Sequence, residues 1–99
     1  MNLLSSKPTV SANVHIHRIH RQHTRGQAIV AVEGRTVGEC LQALVKRFSG
    51  MQTALFTSNG KLRNQIEIYL NGVSAYPDEL NRPVAAGDEV HITVVLAGG

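Results

Sequence analysis

The sequence is poor in cysteine and in long apolar runs, and each shortage excludes a class of protein. Its 99 residues contain one cysteine, Cys40, so no internal disulfide framework can form and a reducing compartment is expected. No apolar run approaches the roughly 20 residues that span a bilayer. The first residues also lack the basic and apolar regions of a secretory signal. We therefore expect a cytoplasmic protein that does not enter a membrane.

Aromatic residues and acidic residues are also scarce. Aromatics make up 4% of the chain, and seven Asp and Glu face ten Lys and Arg, which gives a formal net charge of +3. Part of this positive charge is concentrated at Arg18, Arg21 and Arg25. Nucleic-acid readers combine such clusters with a recognition motif or with stacking aromatics, and neither is present here. The composition therefore argues against nucleic acid as a partner and favours a solvated basic face.

Hydrophobic periodicity predicts an α+β domain. Alternating or β-branched apolar residues indicate strands, at residues 14–20, 27–33, 66–71 and 90–96, with a minor strand before the last. A short helical turn is expected near Met51 and Leu55. We expect a flexible tail at residues 1–12, a folded domain at 13–96 and a flexible C-terminal tail at 97–99.

One main helix is predicted after Thr36. Thr36 and Glu39 have the spacing of a capping box, in which a hydroxyl and a carboxylate satisfy free backbone N–H groups. Apolar residues then recur at helical spacing, at Val37, Leu41, Leu44, Val45 and Phe48. Gly50 is expected to end this helix. Cys40 lies on the same stripe, so we expect it to pack in the core rather than to react.

A single long helix covers only one face of a sheet, so the other face is expected to stay partly exposed. The alternation within the strands places four side chains there: Tyr69, His91, Thr93 and Val95. We expect this face to serve as a docking surface for a partner. Four early histidines (His15, His17, His20 and His23) offer imidazole ligands, but no carboxylate or thiol lies nearby in sequence. We therefore expect no metal site and interpret these histidines as an exposed basic face.

The chain ends in Ala97-Gly98-Gly99, directly after the last predicted strand. Glycine has no Cβ and can thread a narrow channel, so this tail could deliver its terminal carboxylate into another protein. The three residues would span about 10–11 Å when extended.

The order of elements and this ending resemble those of the MoaD/ThiS family of sulfur carriers, over roughly residues 13–99. Three segments carry the resemblance: Ile66-Glu-Ile-Tyr-Leu-Asn-Gly72, Leu80-Asn-Arg-Pro-Val-Ala-Ala-Gly-Asp-Glu-Val90 and the terminal Ala97-Gly98-Gly99. The stretch from Ala54 to Arg63 is more similar to the longer carriers of the cysteine-biosynthesis type than to the compact carriers of the thiazole pathway. The ending lacks the Pro-Pro pair that is usual in molybdopterin synthase small subunits, which argues against the molybdopterin role. Together, these two features favour a sulfur carrier for cysteine or another sulfur metabolite over one for molybdopterin or thiazole.

The resemblance implies a ubiquitin-like β-grasp roll, with a mixed sheet of four to five strands covered by one helix. It also implies a carrier protein and not an enzyme. An ATP-dependent activating enzyme would adenylate the Gly99 carboxylate, and a sulfur donor would then convert the adenylate to a thiocarboxylate for a sulfur-accepting enzyme. ATP and magnesium would belong to the activating enzyme, and the chain itself would bind no cofactor.

Two other functions remain open at this point. A ubiquitin-like modifier would be adenylated in the same way and then conjugated to lysines through Gly99. A β-grasp interaction or RNA-binding module would keep its partner after removal of Gly98 and Gly99. The acceptor of a carried sulfur could be an activated serine derivative, a cofactor precursor or a secondary metabolite.

Overall fold

The computed structural model describes residues 10–95, in which five strands form one mixed sheet and helices cover one of its faces. The strands are β1 Ser11–His15, β2 Ile29–Glu33, β3 Ile66–Leu70, β4 Val73–Ser74 and β5 Glu89–Val94. The α-helices are α1 Val37–Arg47 and α2 Gly50–Leu55, and 3-10 helices occupy Arg18–Thr24 and Glu79–Asn81. The predicted α+β class, the main helix, the short second helix and the minor strand are confirmed.

The order of strands across the sheet is β2-β1-β5-β3-β4, with β5 at the centre. Strands β1 and β5 run parallel, with Val14 opposite Val90, and the other neighbours run antiparallel. Because β1 and β5 point in the same direction, the segment that follows β1 lies at the same end of the sheet as the C-terminal end of β5. This pairing determines the surroundings of the point from which the C-terminal segment departs.

Helix α1 begins as its capping residues predict. The Thr36 hydroxyl accepts a hydrogen bond from the Glu39 N–H at 3.1 Å. The Glu39 carboxylate in turn accepts one from the Arg35 N–H at 2.8 Å, one residue before the cap. Helix α1 then buries its apolar stripe against the inward face of the sheet, and this core includes Val37, Cys40, Leu41, Leu44, Val14, Val30, Ile68, Val90 and Ile92.

The predicted first strand at residues 14–20 is wrong at both ends. Strand β1 begins at Ser11, and the buried Ala12 belongs to the core, so the folded domain starts before residue 13. Strand β1 also ends at His15, and a 3-10 helix runs from Arg18 to Thr24 where a strand and a polar turn were expected. Residues 1–9 lie outside the described part of the chain.

Local hydrogen bonds account for the 3-10 helix. The His17 ring accepts from the Ile19 N–H at 3.1 Å, which caps the first turn. The Thr24 hydroxyl donates to the Gln27 carbonyl at 2.8 Å and closes the last turn. His20 and Thr24 are buried, so the helix packs its polar side chains inward, and an alternating pattern could not predict this.

Gly50 is not the C-cap of α1, as was predicted. The first helix ends at Arg47, with Phe48 as its cap, and Gly50 is the first residue of α2. A Cβ at Gly50 would lie 2.6 Å from the His23 ring. Glycine here allows the 3-10 helix to pack closely against α2, and it does not terminate a helix.

Candidate functional site at the end of the central strand

The backbone is held in the sheet as far as Val95. Its N–H donates to the Gln65 carbonyl at 2.7 Å, one residue beyond the paired Ile66 and Val94. The domain therefore fixes the position and direction from which the C-terminal segment leaves. The predicted site residues Ala97, Gly98 and Gly99 lie outside the described residues.

The outward face of the sheet carries a row of side chains that crosses all five strands. The register pairs Ile29 with His15, His15 with His91, His91 with Tyr69 and Tyr69 with Ser74. Thr93 lies on the same face opposite Glu67, and its hydroxyl donates to the Glu67 carbonyl at 3.0 Å. Tyr69, His91 and Thr93 thus share one surface, and Val95, just past the end of β5, is 46% exposed.

A polar cluster occupies the centre of this face. The Glu89 carboxylate is hydrogen-bonded to the His15 ring and to the Asn13 amide. These bonds lower the pKa of the Glu89 carboxyl, the His15 bond being the stronger cause. The rings of His15 and His91 stack with their centroids 3.9 Å apart. Burial lowers the pKa of His91, and the neighbouring His15 lowers it further. Both effects favour the neutral form of the His91 ring.

An apolar hollow lies beside the end of β5. It has a volume of about 590 Å³ and is lined by Ile19, His20, Ala54, Asn64, Gln65, Ile66, Val94 and Val95. Ile19 is 45% exposed. Sequence reasoning missed this hollow, because it placed Ile19 on a strand, whereas the 3-10 helix carries it to the end of β5.

The expectation that His15, His17, His20 and His23 form one exposed basic face is wrong, because His20 is buried. His17 caps the 3-10 helix, and His20 is buried within it. Burial, with smaller contributions from His17 and His23, lowers the pKa of His20. Among residues 10–95, no three His, Cys, Asp or Glu side chains come together in a way that could hold a metal ion.

Cys40 is completely buried in the core. Burial raises the pKa of its thiol, and Glu39 adds to this effect. Since the thiolate is the nucleophilic form of cysteine, the thiol is protonated and inaccessible.

The sheet, the covering helix and the short second helix define the class of protein, because solved ubiquitin-like β-grasp proteins superpose on the chain. A chain in the crystal structure of the Amycolatopsis orientalis BexX/CysO complex is 31% identical, with a TM-score of 0.80, over 89% of this chain and 99% of that one. Mycobacterium tuberculosis CysO gives a TM-score of 0.79 at 33% identity, over 86% and 99%.

The family follows from the sequence comparisons. The model of the ThiS family matches residues 15–99, and the chain belongs to this family. The sulfur carrier protein CysO of Mycobacterium tuberculosis is 34% identical over 93 residues, which cover 91% of this chain and all of the relative. The small archaeal modifier protein 1 of Haloferax volcanii is 35% identical over 71 residues, or 71% of this chain and 78% of that protein. Within residues 10–95, no helix is long and apolar enough to cross a bilayer.

Proposed function

We propose that the chain is a sulfur carrier that serves cysteine biosynthesis, with sulfur carried as a thiocarboxylate on Gly99. The observation that carries this proposal is the match to the ThiS family, which runs to Gly99, together with full-length similarity to CysO sulfur carriers. The central strand supports it, because its end is anchored through Val95 and thus gives the terminal residues a fixed point of departure.

The carboxylate of Gly99 needs activation before it can accept sulfur. A terminal carboxyl has a pKa of about 3.3–3.7 and is ionised at neutral pH, so it attacks the α-phosphate of ATP and releases pyrophosphate. Sulfide adds to the acyl carbon and displaces AMP, which leaves the thiocarboxylate directly. A persulfide donor displaces AMP to give an acyl disulfide, and a thiol of the donor protein then attacks the S–S bond, which releases the thiocarboxylate and leaves a disulfide on the donor. ATP and magnesium are supplied by the activating enzyme, and the carrier contributes only its terminus and its docking surface.

The docking surface in this proposal is the outward face around Tyr69, His91 and Thr93, continued by Val95. Its side chains combine rings and polar groups on a rigid sheet, a composition typical of transient interfaces. The crystal structure of the BexX/CysO complex contains a carrier of this kind together with a second protein. This supports a role in which the carrier is recognised as a folded surface and not by its tail alone.

We expect that deletion of Gly99, or addition of one residue after it, abolishes adenylation and leaves the fold intact. The reason is that the reacting carbon is then withdrawn from, or pushed past, a centre that lies at a depth of about 10–11 Å. The measurement is ATP-dependent pyrophosphate release by the host's activating enzyme. Thermal unfolding of each variant provides the control for folding. Release at the wild-type rate from either variant would contradict the proposal.

A second candidate function is that of a protein modifier. The similarity to the small archaeal modifier protein 1 favours it, and the adenylation step would be the same. The two functions differ in the product, since a modifier leaves diglycine remnants on lysines of other proteins and a carrier leaves a thiocarboxylate on itself. Peptide mass spectrometry of proteins from the native host separates them.

A further inference from the structure

The end of the sheet from which the C-terminal segment departs carries a concentration of positive charge. The 3-10 helix lies there because β1 and β5 run parallel, and its residues Ile19 and His20 share the apolar hollow with Val94 and Val95. The first acidic residue of the whole chain is Glu33. The 3-10 helix therefore contributes cations to this end and no carboxylate.

Two arginines of the 3-10 helix face a second hollow, on the outward side of the sheet. Arg18 and Arg21 line it with His15, His17 and His91, and its volume is about 440 Å³. Arg18 is exposed, and Arg21 donates from Nε to the Ile16 carbonyl at 3.1 Å. Within the described range 10–95, no salt bridge to a carboxylate is found for either guanidinium. Both charges are available to a partner.

Exposed apolar side chains line the same two hollows. Ile19 is 45% exposed, Ile29 is 52% exposed and Val95 is 46% exposed. Isolated exposed apolar residues are ordinary, but Ile19 and Val95 line the hollow at the end of β5, and Ile29 lines the second hollow together with Arg18 and Arg21. A patch with an apolar centre and charged edges is the usual composition of a specific protein interface.

We propose that this basic patch, formed by Arg18, Arg21, Ile19, Ile29 and Val95, docks an acidic surface of the activating enzyme. The inference rests on the proposed function, which requires the enzyme to cover the end of the domain from which Gly99 departs. Three terminal residues reach at most about 10–11 Å when fully extended, so the activating enzyme would contact the domain close to Val95, at the edge of the patch. Carboxylates around an apolar residue are the complement that such a patch selects.

The experiment compares two charge reversals of equal size. Arg18→Glu alters the basic patch, and Lys46→Glu alters an exposed cation on α1, which covers the opposite face of the sheet. The dissociation constant of each carrier for the activating enzyme is measured by titration calorimetry at low and at high salt. We expect Arg18→Glu to bind roughly tenfold more weakly at low salt and Lys46→Glu to bind like wild type. High salt should reduce the difference, because it screens exposed charges.

Equal dissociation constants for Arg18→Glu and Lys46→Glu, or no measurable binding of the wild type, would overturn the docking proposal. An RNA mobility shift that is lost in Arg18→Glu, with enzyme binding unchanged, would overturn it and assign the patch to nucleic acid. Pyrophosphate release is measured separately at saturating carrier. Wild type that binds through the patch but releases no pyrophosphate would contradict the sulfur-carrier function and leave the docking surface supported.

Discussion

Cys40 lies on the buried stripe of α1, where its side chain fills core volume and its thiol pKa is raised by burial. In a sulfur carrier, a cysteine could be expected to take part in sulfur transfer. Cys40 instead packs in the core, where its side chain is fully buried. The sequence predicted this from the position of Cys40 among apolar residues at helical spacing. The need for glycine at position 38 was not predictable from the sequence. A Cβ there would lie 2.9 Å from the carbonyl oxygen of Leu80, and this contact depends on a segment that is distant in sequence.

We expect Cys40→Ala to retain thiocarboxylate formation and to lose stability. Removal of one buried heavy atom costs about 1–2 kcal/mol through lost burial and a small cavity. The two measurements are the denaturant midpoint and the intact mass of the carrier after reaction with the activating enzyme, ATP and a sulfur donor. A variant with wild-type stability but no thiocarboxylate would assign Cys40 to the chemistry.

The 3-10 helix at Arg18–Thr24 shows where reasoning from local pattern fails for an element. Val14 and Ile16 alternate with His15 and His17, which is typical of a half-buried strand. The 3-10 helix forms instead of a strand because the Ile19 N–H donates to the His17 ring and because His20 and Thr24 are buried. Helix α1, by contrast, was predictable because its cap, its apolar stripe and its basic last turn all lie within the segment itself.

We expect the burial of His20 in this 3-10 helix to make the free energy of unfolding depend on pH. The pKa of His20 in the folded protein lies below its usual value of 6.5, so the unfolded chain binds more protons as the pH falls through that value. The free energy of unfolding therefore decreases on acidification through about pH 6.5 and is recovered at higher pH. His91, whose pKa is also lowered, contributes in the same direction.

We expect His20→Gln to lose less stability than wild type between pH 7.5 and 5.5. Glutamine keeps a polar side chain of similar length and removes the titration, while His91 retains its part of the pH dependence. Thermal unfolding at a series of pH values gives the comparison. Parallel curves for the two proteins would show that His20 titrates with the same pKa in the folded and unfolded states.

At the scale of the whole molecule, the sequence predicted the class of fold and the outward position of Tyr69, His91 and Thr93, because strand alternation is a local property. The parallel pairing of β1 with β5 joins segments more than seventy residues apart, and no local pattern encodes it. That pairing brings the 3-10 helix to the end of β5. The basic patch and the apolar hollow therefore became visible only in the folded chain.

In the proposed function, the domain fixes the position and direction from which the reactive C-terminus leaves the sheet. Its helices and sheet fix Val95, and the proposed chemistry takes place beyond the described residues, inside another protein. In the proposed function, the acid, base and metal that the chemistry needs belong to the activating enzyme.

The most direct measurement is the intact mass of the carrier after incubation with the host's activating enzyme, ATP and a sulfur donor. We expect a species heavier by the mass difference between sulfur and oxygen, located at Gly99 by fragmentation, and absent when ATP is omitted or Gly99 is deleted. An unchanged mass in the presence of an enzyme that binds the carrier and hydrolyses ATP to AMP would contradict the sulfur-carrier function.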